Sequence, residues 1–208
     1  YDFAGHLVER FASYHRQSYA CKVGVGDVLI GATQTIAEYN GTEKASHVKD
    51  KIVEMIHLNE TLYCGCIACA SEGKCEQPGT YMVNTLLANV HKQNITRFPY
   101  EIARLAQDIA GGALVTLPSA DDLYHPEAGK WIKKYFKTKN DVPTENRIKL
   151  LRLIENITMG TAAVGYLTES MHGAGSPQAQ RIMIARESNV KEKQQLAKRL
   201  AQIIASEE

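Results

Sequence analysis

The chain has 208 residues, enough for one sizeable core or two small ones, and 24 lysines and arginines against 23 aspartates and glutamates leave a formal net charge of +1. Such a balance sets up no molecule-wide field for nucleic acid or an anionic membrane, and the composition is that of an ordinary globular protein. The most apolar stretch, Ile109 to Leu117, is broken by Gly111, Gly112 and Thr116 and is too short to span a bilayer. The first ten residues, "YDFAGHLVER", carry no signal-peptide core. Five cysteines is an odd number and four of them crowd between Cys64 and Cys75, which does not suggest a secreted disulfide framework, so a reducing cytoplasm is the expected location. The chain begins with tyrosine rather than methionine, as a fragment or a processed product would.

In chain order, helical periodicity dominates and no run alternates with the period of a strand. A first helix is expected over Phe3–Glu38, stopped by Asn40-Gly41. Gly24, Gly26 and Gly31 lie inside it and call for a reason such as the close approach of a neighbour. A second helix covers Ser46–Ala70, with Val48, Ile52, Met55, Ile56 and Asn59 on one stripe. The third runs over Tyr81–Ala110, with a kink or restart at Pro99 and an end at Gly111-Gly112. The next thirty residues read as an irregular excursion containing one short helix, Trp131–Phe136. Pro143 starts a helix that continues to Tyr166, "HGAGSP" breaks the chain, and a last helix spans Gln178–Ala205. Five helices with short connections give an all-α, up-and-down bundle.

"CGCIACASEGKC" has the look of a metal box. On a helix, however, Cys64 and Cys66 point about 200° apart, and only Cys66 and Cys69 share a face. Buried unpaired cysteine is the simpler reading. "MHGAGSPQAQRIMIAR" places a glycine-rich turn before a helix whose first turn offers Ser176, Gln178 and free N–H groups to a phosphate or a polar ring edge. Just before it, Glu169 stands near Tyr166 and His172, either an acid–base carboxylate or a solvated one.

Four blocks, "VERFASYHRQSYACKVGVGD", "KASHVKDKIVEMIHLNETLYC", "LLANVHKQNITRFPYEIARLAQDIAGG" and "TESMHGAGSPQAQRIMIAR", closely resemble the 4-hydroxybutyryl-CoA dehydratase (vinylacetyl-CoA isomerase) family. The resemblance weakens only between Ser119 and Asp141. It implies residues 1–208 as a single helical domain similar to the C-terminal domain of acyl-CoA dehydrogenases, the C-terminal part of a larger enzyme whose N-terminal half is absent. It implies FAD, a [4Fe–4S] cluster and a CoA thioester substrate in a cytoplasmic homotetramer. The implied reactions are dehydration of 4-hydroxybutyryl-CoA to crotonyl-CoA and isomerisation of vinylacetyl-CoA.

Carried over position by position, His15 and Cys21 match cluster ligands, with His15 also a proposed base. Tyr19, Lys22 and Glu169 match catalytic residues. The remaining cluster ligands are expected from the N-terminal half. Ser176 and Gln178 are implied flavin contacts, and Gly111 and Gly112 echo a diglycine that approaches a flavin held mainly by another subunit. A plain helix end is the equal reading of those glycines.

The family's histidine and cysteine stand seven apart and here they stand six apart, which on a regular helix leaves them about 120° apart. A distorted backbone near Tyr19–Cys21, such as a π-bulge, would restore convergence. Loss of the cluster, and the absence of one residue from this sequence, are the other two outcomes. Two further readings stand beside the dehydratase: a flavin-dependent aromatic hydroxylase of the 4-hydroxyphenylacetate 3-monooxygenase type without a cluster, and a non-catalytic bundle that mediates assembly.

Overall fold

The computed structural model describes residues 2–76, 79–139 and 141–203. In chain order, α1 (Asp2–Gln17) passes through a 3-10 turn (Ser18–Ala20) into α2 (Cys21–Asn40), and α3 (Ser46–Ser71) returns alongside. A two-stranded antiparallel ribbon, β1 (Lys74–Glu76) with β2 (Thr80–Met82), leads into α4 (Thr85–Ile95) and α5 (Phe98–Ala110). Two short helices follow, α6 (Ala120–Tyr124) and α7 (Ala128–Tyr135). Then come α8 (Thr144–Thr158), α9 (Thr161–Ala163), a π-helical segment (Val164–Thr168), α10 (Glu169–His172), α11 (Pro177–Glu187) and α12 (Val190–Leu200).

The all-α bundle stands, with five differences from the sequence reading, the first being the 3-10 turn that divides the expected Phe3–Glu38 helix. The ribbon replaces the start of the expected third helix, too short to carry an alternating pattern. The excursion holds two helices rather than one. Ser119 and Asp122 close a capping box around the start of α6, satisfying N–H groups that the apolar pattern alone cannot reveal. The helix from Pro143 stops at Thr158 before resuming, and the last helix is split at Asn189, whose backbone is left-handed. The expected end of that last helix at Ala205 lies outside the described residues.

The main core lies where α2, α3, α5 and α8 meet. Leu29, Ile36, Met55, Ile102, Leu151 and Ile154 are fully buried there, each contributing about 1.5–3 kcal/mol by leaving water. Of the expected α3 stripe, Val48, Met55 and Asn59 are buried and Ile52 packs at the margin, whereas Ile56 is exposed and Leu58 takes the inward place. A second group, α1, α4 and α11 against the far half of α3, continues the bundle.

Three of the four long rods change character at one level, the waist between these groups. The α1–α2 rod tightens to a 3-10 turn at Ser18–Ala20. The α4–α5 rod restarts at Phe98 with Pro99 in the first turn, where its missing N–H needs no partner. The rod after α8 widens to a π-helix at Val164–Thr168. Tyr19, Leu62 and Ile95 form a small buried cluster there, with Phe98 and Ala174 packed against it. No helix among the described residues is long and apolar enough to cross a membrane.

Candidate active site

Tyr19 sits at the centre of the waist with 3% of its surface exposed. The 3-10 turn that carries it advances about 120° per residue instead of 100°. Three such residues add about 60° of turn, so His15 and Cys21 end roughly 60° apart rather than 120°. The distortion the six-residue spacing called for is present, as a tightening rather than the π-bulge expected. His15 and Cys21 are both exposed and flank Tyr19 along the chain: the imidazole lies 5.6 Å from its ring, centroid to centroid, and Cys21 follows it directly after the 3-10 turn.

The π segment lies instead just before Glu169. A π turn holds about one residue more than an α turn, so Glu169 takes the angular position that an unbroken helix would give its neighbour. There its two oxygens are claimed separately. The Tyr19 hydroxyl donates to Oε1, and Lys22 Nζ donates to Oε2 at 2.5 Å and to the Gly165 carbonyl at 2.7 Å. Burial pulls the Glu169 carboxyl upward, but the hydrogen bonds from Lys22 and Tyr19 and the charges of Lys22 and Lys92 outweigh it and hold the group below the ordinary range. Tyr19 moves the other way, pushed well above its ordinary value by burial first, then by its bond to Glu169 and that carboxylate's charge. At neutral pH the pair is a phenol donating to a carboxylate.

Four residues of the site escaped the sequence reading. Lys92 is fully buried, places its ammonium 4.3 Å from the centre of the Tyr19 ring and donates to the Ser170 carbonyl. Arg16, 6% exposed, donates to Asn89 Oδ1 at 2.7 Å and to the Ala174 carbonyl at 3.1 Å, tying the "HGAGS" turn to α1 and α4. Gly173 lies so close that a Cβ there would come within 1.6 Å of the Tyr19 hydroxyl oxygen. Gln180 is fully buried and donates to the Gly175 carbonyl at 3.0 Å. The available signal was register: Lys92 shares the buried stripe of α4 with Ala88, Asn89, His91 and Ile95.

The implied flavin contacts divide between two places. Ser176 caps α11, accepting from the Ala179 N–H at 3.3 Å, and Gln178 is exposed on the first turn of that helix. Gly111 and Gly112 end α5, thirteen residues and so about 20 Å from Phe98 at the waist. Gly111 has φ +77°, both glycines open onto free space, and beside them lies a depression of about 440 Å³ lined in part by Arg104, Gln107 and Met159.

The cysteine run keeps to a regular helix. Cys66 and Cys69 turn inward on α3, Cys69 donating to the Cys66 carbonyl at 3.1 Å, while Cys64 and Cys75 are exposed. Burial pushes the Cys69 thiol up to about 11, which leaves it protonated and inert.

The 4-hydroxyphenylacetate 3-hydroxylase C-terminal family model matches residues 4–202. The chain is 60% identical to the 4-hydroxybutyryl-CoA dehydratase/vinylacetyl-CoA-Δ-isomerase of Clostridium aminobutyricum, over 98% of this chain and 43% of that protein. It is 24% identical to the pyoverdin chromophore biosynthetic protein PvcC of Pseudomonas aeruginosa, over 83% of this chain and 35% of that one. Among solved structures, an oxygen-tolerant archaeal 4-hydroxybutyryl-CoA dehydratase from N. maritimus superposes with a TM-score of 0.97 at 60% identity, over all of this chain and 42% of that one. The oxygenase component of 4-hydroxyphenylacetate 3-monooxygenase, complexed with FAD and 4-hydroxyphenylacetate, shares the fold at a TM-score of 0.78 and 20% identity, over 90% of this chain and 40% of that one. The chain thus spans less than half the length of the relatives it matches. It belongs to the 4-hydroxyphenylacetate 3-hydroxylase C-terminal family, and within that family it is far more similar to the 4-hydroxybutyryl-CoA dehydratases than to the aromatic hydroxylases.

Proposed function

We propose that this chain is the C-terminal part of a 4-hydroxybutyryl-CoA dehydratase with vinylacetyl-CoA isomerase activity, which binds FAD and a [4Fe–4S] cluster and works as a homotetramer. The carrying observation is the convergence at the waist. His15 and Cys21 flank Tyr19, and Tyr19 and Lys22 together hold Glu169, while the whole chain keeps 60% identity to the clostridial dehydratase.

The donors fit half of a cluster site. An imidazole and a thiol at two exposed positions on adjoining turns suit iron, and the two remaining ligands of a four-iron centre must come from outside these residues. The flavin fit is split, with Ser176 and Gln178 toward one flavin and the open backbone at Gly111-Gly112 toward another held by a neighbouring subunit. When bound, FAD supplies an acceptor for single electrons and the cluster a Lewis acid for the departing hydroxyl.

The chain's own residues manage protons. Glu169 enters the cycle ionised and therefore as an acceptor, at whichever oxygen its two donors leave free. Its ordinary readiness is reduced because Tyr19 and Lys22 both favour the charged form. Once a proton arrives, Lys22 is released to face a negatively charged oxygen of the substrate. His15, on the open side of the Tyr19 ring, is placed to serve as base for the acidic proton beside the thioester.

The test is elemental and spectroscopic. The complete enzyme carrying this chain, purified without oxygen, should hold about four irons and one flavin per polypeptide, and Cys21→Ser should lose iron while remaining folded. Flavin without iron in the wild type would favour the aromatic hydroxylase reading, which the shared fold supports. Neither cofactor would leave the assembly bundle.

A further inference from the structure

We propose that Lys92 is a positioning residue of this site: its buried ammonium, lodged under the Tyr19 ring and bonded to the Ser170 carbonyl, holds Tyr19 against Glu169 and keeps that carboxylate charged. The proposal rests on the acid–base reading of Glu169 given above.

A lysine usually runs its apolar stem along a surface and leaves its charge in water. Lys92 does not, because the whole side chain is enclosed. Removing an ammonium from water is strongly unfavourable unless something nearby uses the charge. Its recorded hydrogen bond goes to a carbonyl rather than a carboxylate, and an uncharged donor would satisfy a carbonyl equally well.

What distinguishes this carbonyl is its place. Ser170 directly follows Glu169, so anchoring it fixes the backbone that carries the carboxylate. The same ammonium lies 4.3 Å from the centre of the Tyr19 ring, a cation–π distance, with Lys22 a second cation at 5.4 Å. One side chain therefore grips both partners of the Tyr19–Glu169 bond.

The charges bearing on Lys92 are Glu169 on α10, which favours its protonated form, and Lys22 on α2 and Arg16 on α1, which oppose it. His91, its neighbour on α4, is held neutral by burial and by the Lys92 charge. From the other elements, Leu62 of α3 and Phe98 of α5 pack with Tyr19, and α11 buries Gln180 and Met183, all uncharged. Burial first, then the two cations, bring the ammonium down to about 8. In return its charge lowers Glu169.

The test uses the complete enzyme and compares the pH dependence of kcat/KM in wild type, Lys92→Met, Lys92→Arg and Glu169→Gln. Lys92→Met should raise the midpoint of the acid limb by about half a unit or more. It should lower kcat about 10-fold or more while KM for the thioester changes little. Lys92→Arg should restore the acid limb. An unshifted acid limb in Lys92→Met, whatever its rate, overturns the proposal, because a lysine that only fills space would cost activity without moving it. Should Lys92→Met fail to fold, Lys92→Arg decides. The wild-type alkaline limb near pH 8 should disappear in that variant, since a guanidinium keeps its proton, and its persistence overturns the proposal. Glu169→Gln separates the two levels. If dehydration survives that change, the acid–base reading itself fails. If dehydration is lost and Lys92→Met leaves the profile in place, only the role given to Lys92 fails.

Discussion

Gly173 shows how little room the waist leaves around its polar pair. Its backbone, φ −63° and ψ 146°, would accept any residue, so the need for glycine is one of space alone. A methyl group there would stand 1.6 Å from the Tyr19 oxygen and 2.8 Å from Glu169 Oε1. Gly173→Ala should therefore separate Tyr19 from Glu169 and reduce turnover about 100-fold, as small misplacements of reacting groups do, and lower the melting temperature through about 1–3 kcal/mol of overpacking. Steady-state kinetics beside a thermal melt checks both parts.

His91 carries a second residue-scale prediction. Burial, and then the Lys92 charge, hold its imidazole down to about 4. Between that value and its ordinary one the unfolded chain binds the extra proton and the folded chain does not, so stability falls as pH falls through this window. The loss should approach roughly 3 kcal/mol by pH 4, visible in urea unfolding at pH 7 and 4.5, and His91→Gln should flatten it.

At this scale the sequence was legible where a side chain sits inside a motif. His15, Tyr19, Cys21, Lys22 and Glu169 all stood in quoted blocks, and the structure gathers them at one place. Lys92 and Arg16 stood in those same blocks and were not singled out. Only their register on buried stripes, beside Ile95 and Ala12, sets them apart. Gln178 attracted notice because it follows the turn, yet Gln180, two residues on, is the glutamine that the fold encloses.

Between residues and the whole stand the three irregular turns. A 3-10 turn, a proline restart and a π segment each cost some regular hydrogen bonding, and all three fall at the level of Tyr19. Departures of this kind concentrate where function needs them. The restart was legible from Pro99, whereas the 3-10 turn and the π segment are not visible in an apolar pattern, because a break of one residue shifts register without changing composition. The helix limits at Asn40 and Ala110 were readable from glycine, whereas the breaks at Gln17 and Thr158 were not.

The three glycines expected to sit under a close neighbour divide instructively. A Cβ on Gly26 would lie 2.1 Å from Asn59 Oδ1 of α3, while Gly24 and Gly31 meet nothing within 4 Å. Gly31→Ala should thus gain up to about 1 kcal/mol through helix propensity. Gly26→Ala should lose about 1–3 kcal/mol by overpacking. Chemical denaturation of the two variants side by side distinguishes the signs.

For the molecule as a whole, two features point past these residues. The α1 face leaves Phe3, Leu7, Val8 and Phe11 largely exposed, an apolar surface of the sort that marks contact with other protein. Among the described residues no group of three or more His, Cys, Asp or Glu side chains is near enough to hold a metal ion, and on the proposed reading His15 with Cys21 would supply two ligands where a four-iron cluster takes four. The chain produced alone and supplied with iron and sulfide should accordingly show no stable broad absorption at about 400 nm. A stoichiometric cluster on it would refute the shared-ligand reading. The bundle was legible from periodicity and short connections, whereas the proposed sharing of cluster ligands with a further part of the enzyme rests on family resemblance.

The central claim is that the carboxylate at the waist performs proton transfer in the dehydration. The most direct measurement is the rate of conversion of 4-hydroxybutyryl-CoA by the complete enzyme bearing Glu169→Gln, with flavin and iron contents determined on the same sample. The expected result is a fall of at least about 100-fold with both cofactors retained. A rate close to that of the wild type, on a fully loaded variant, would contradict it.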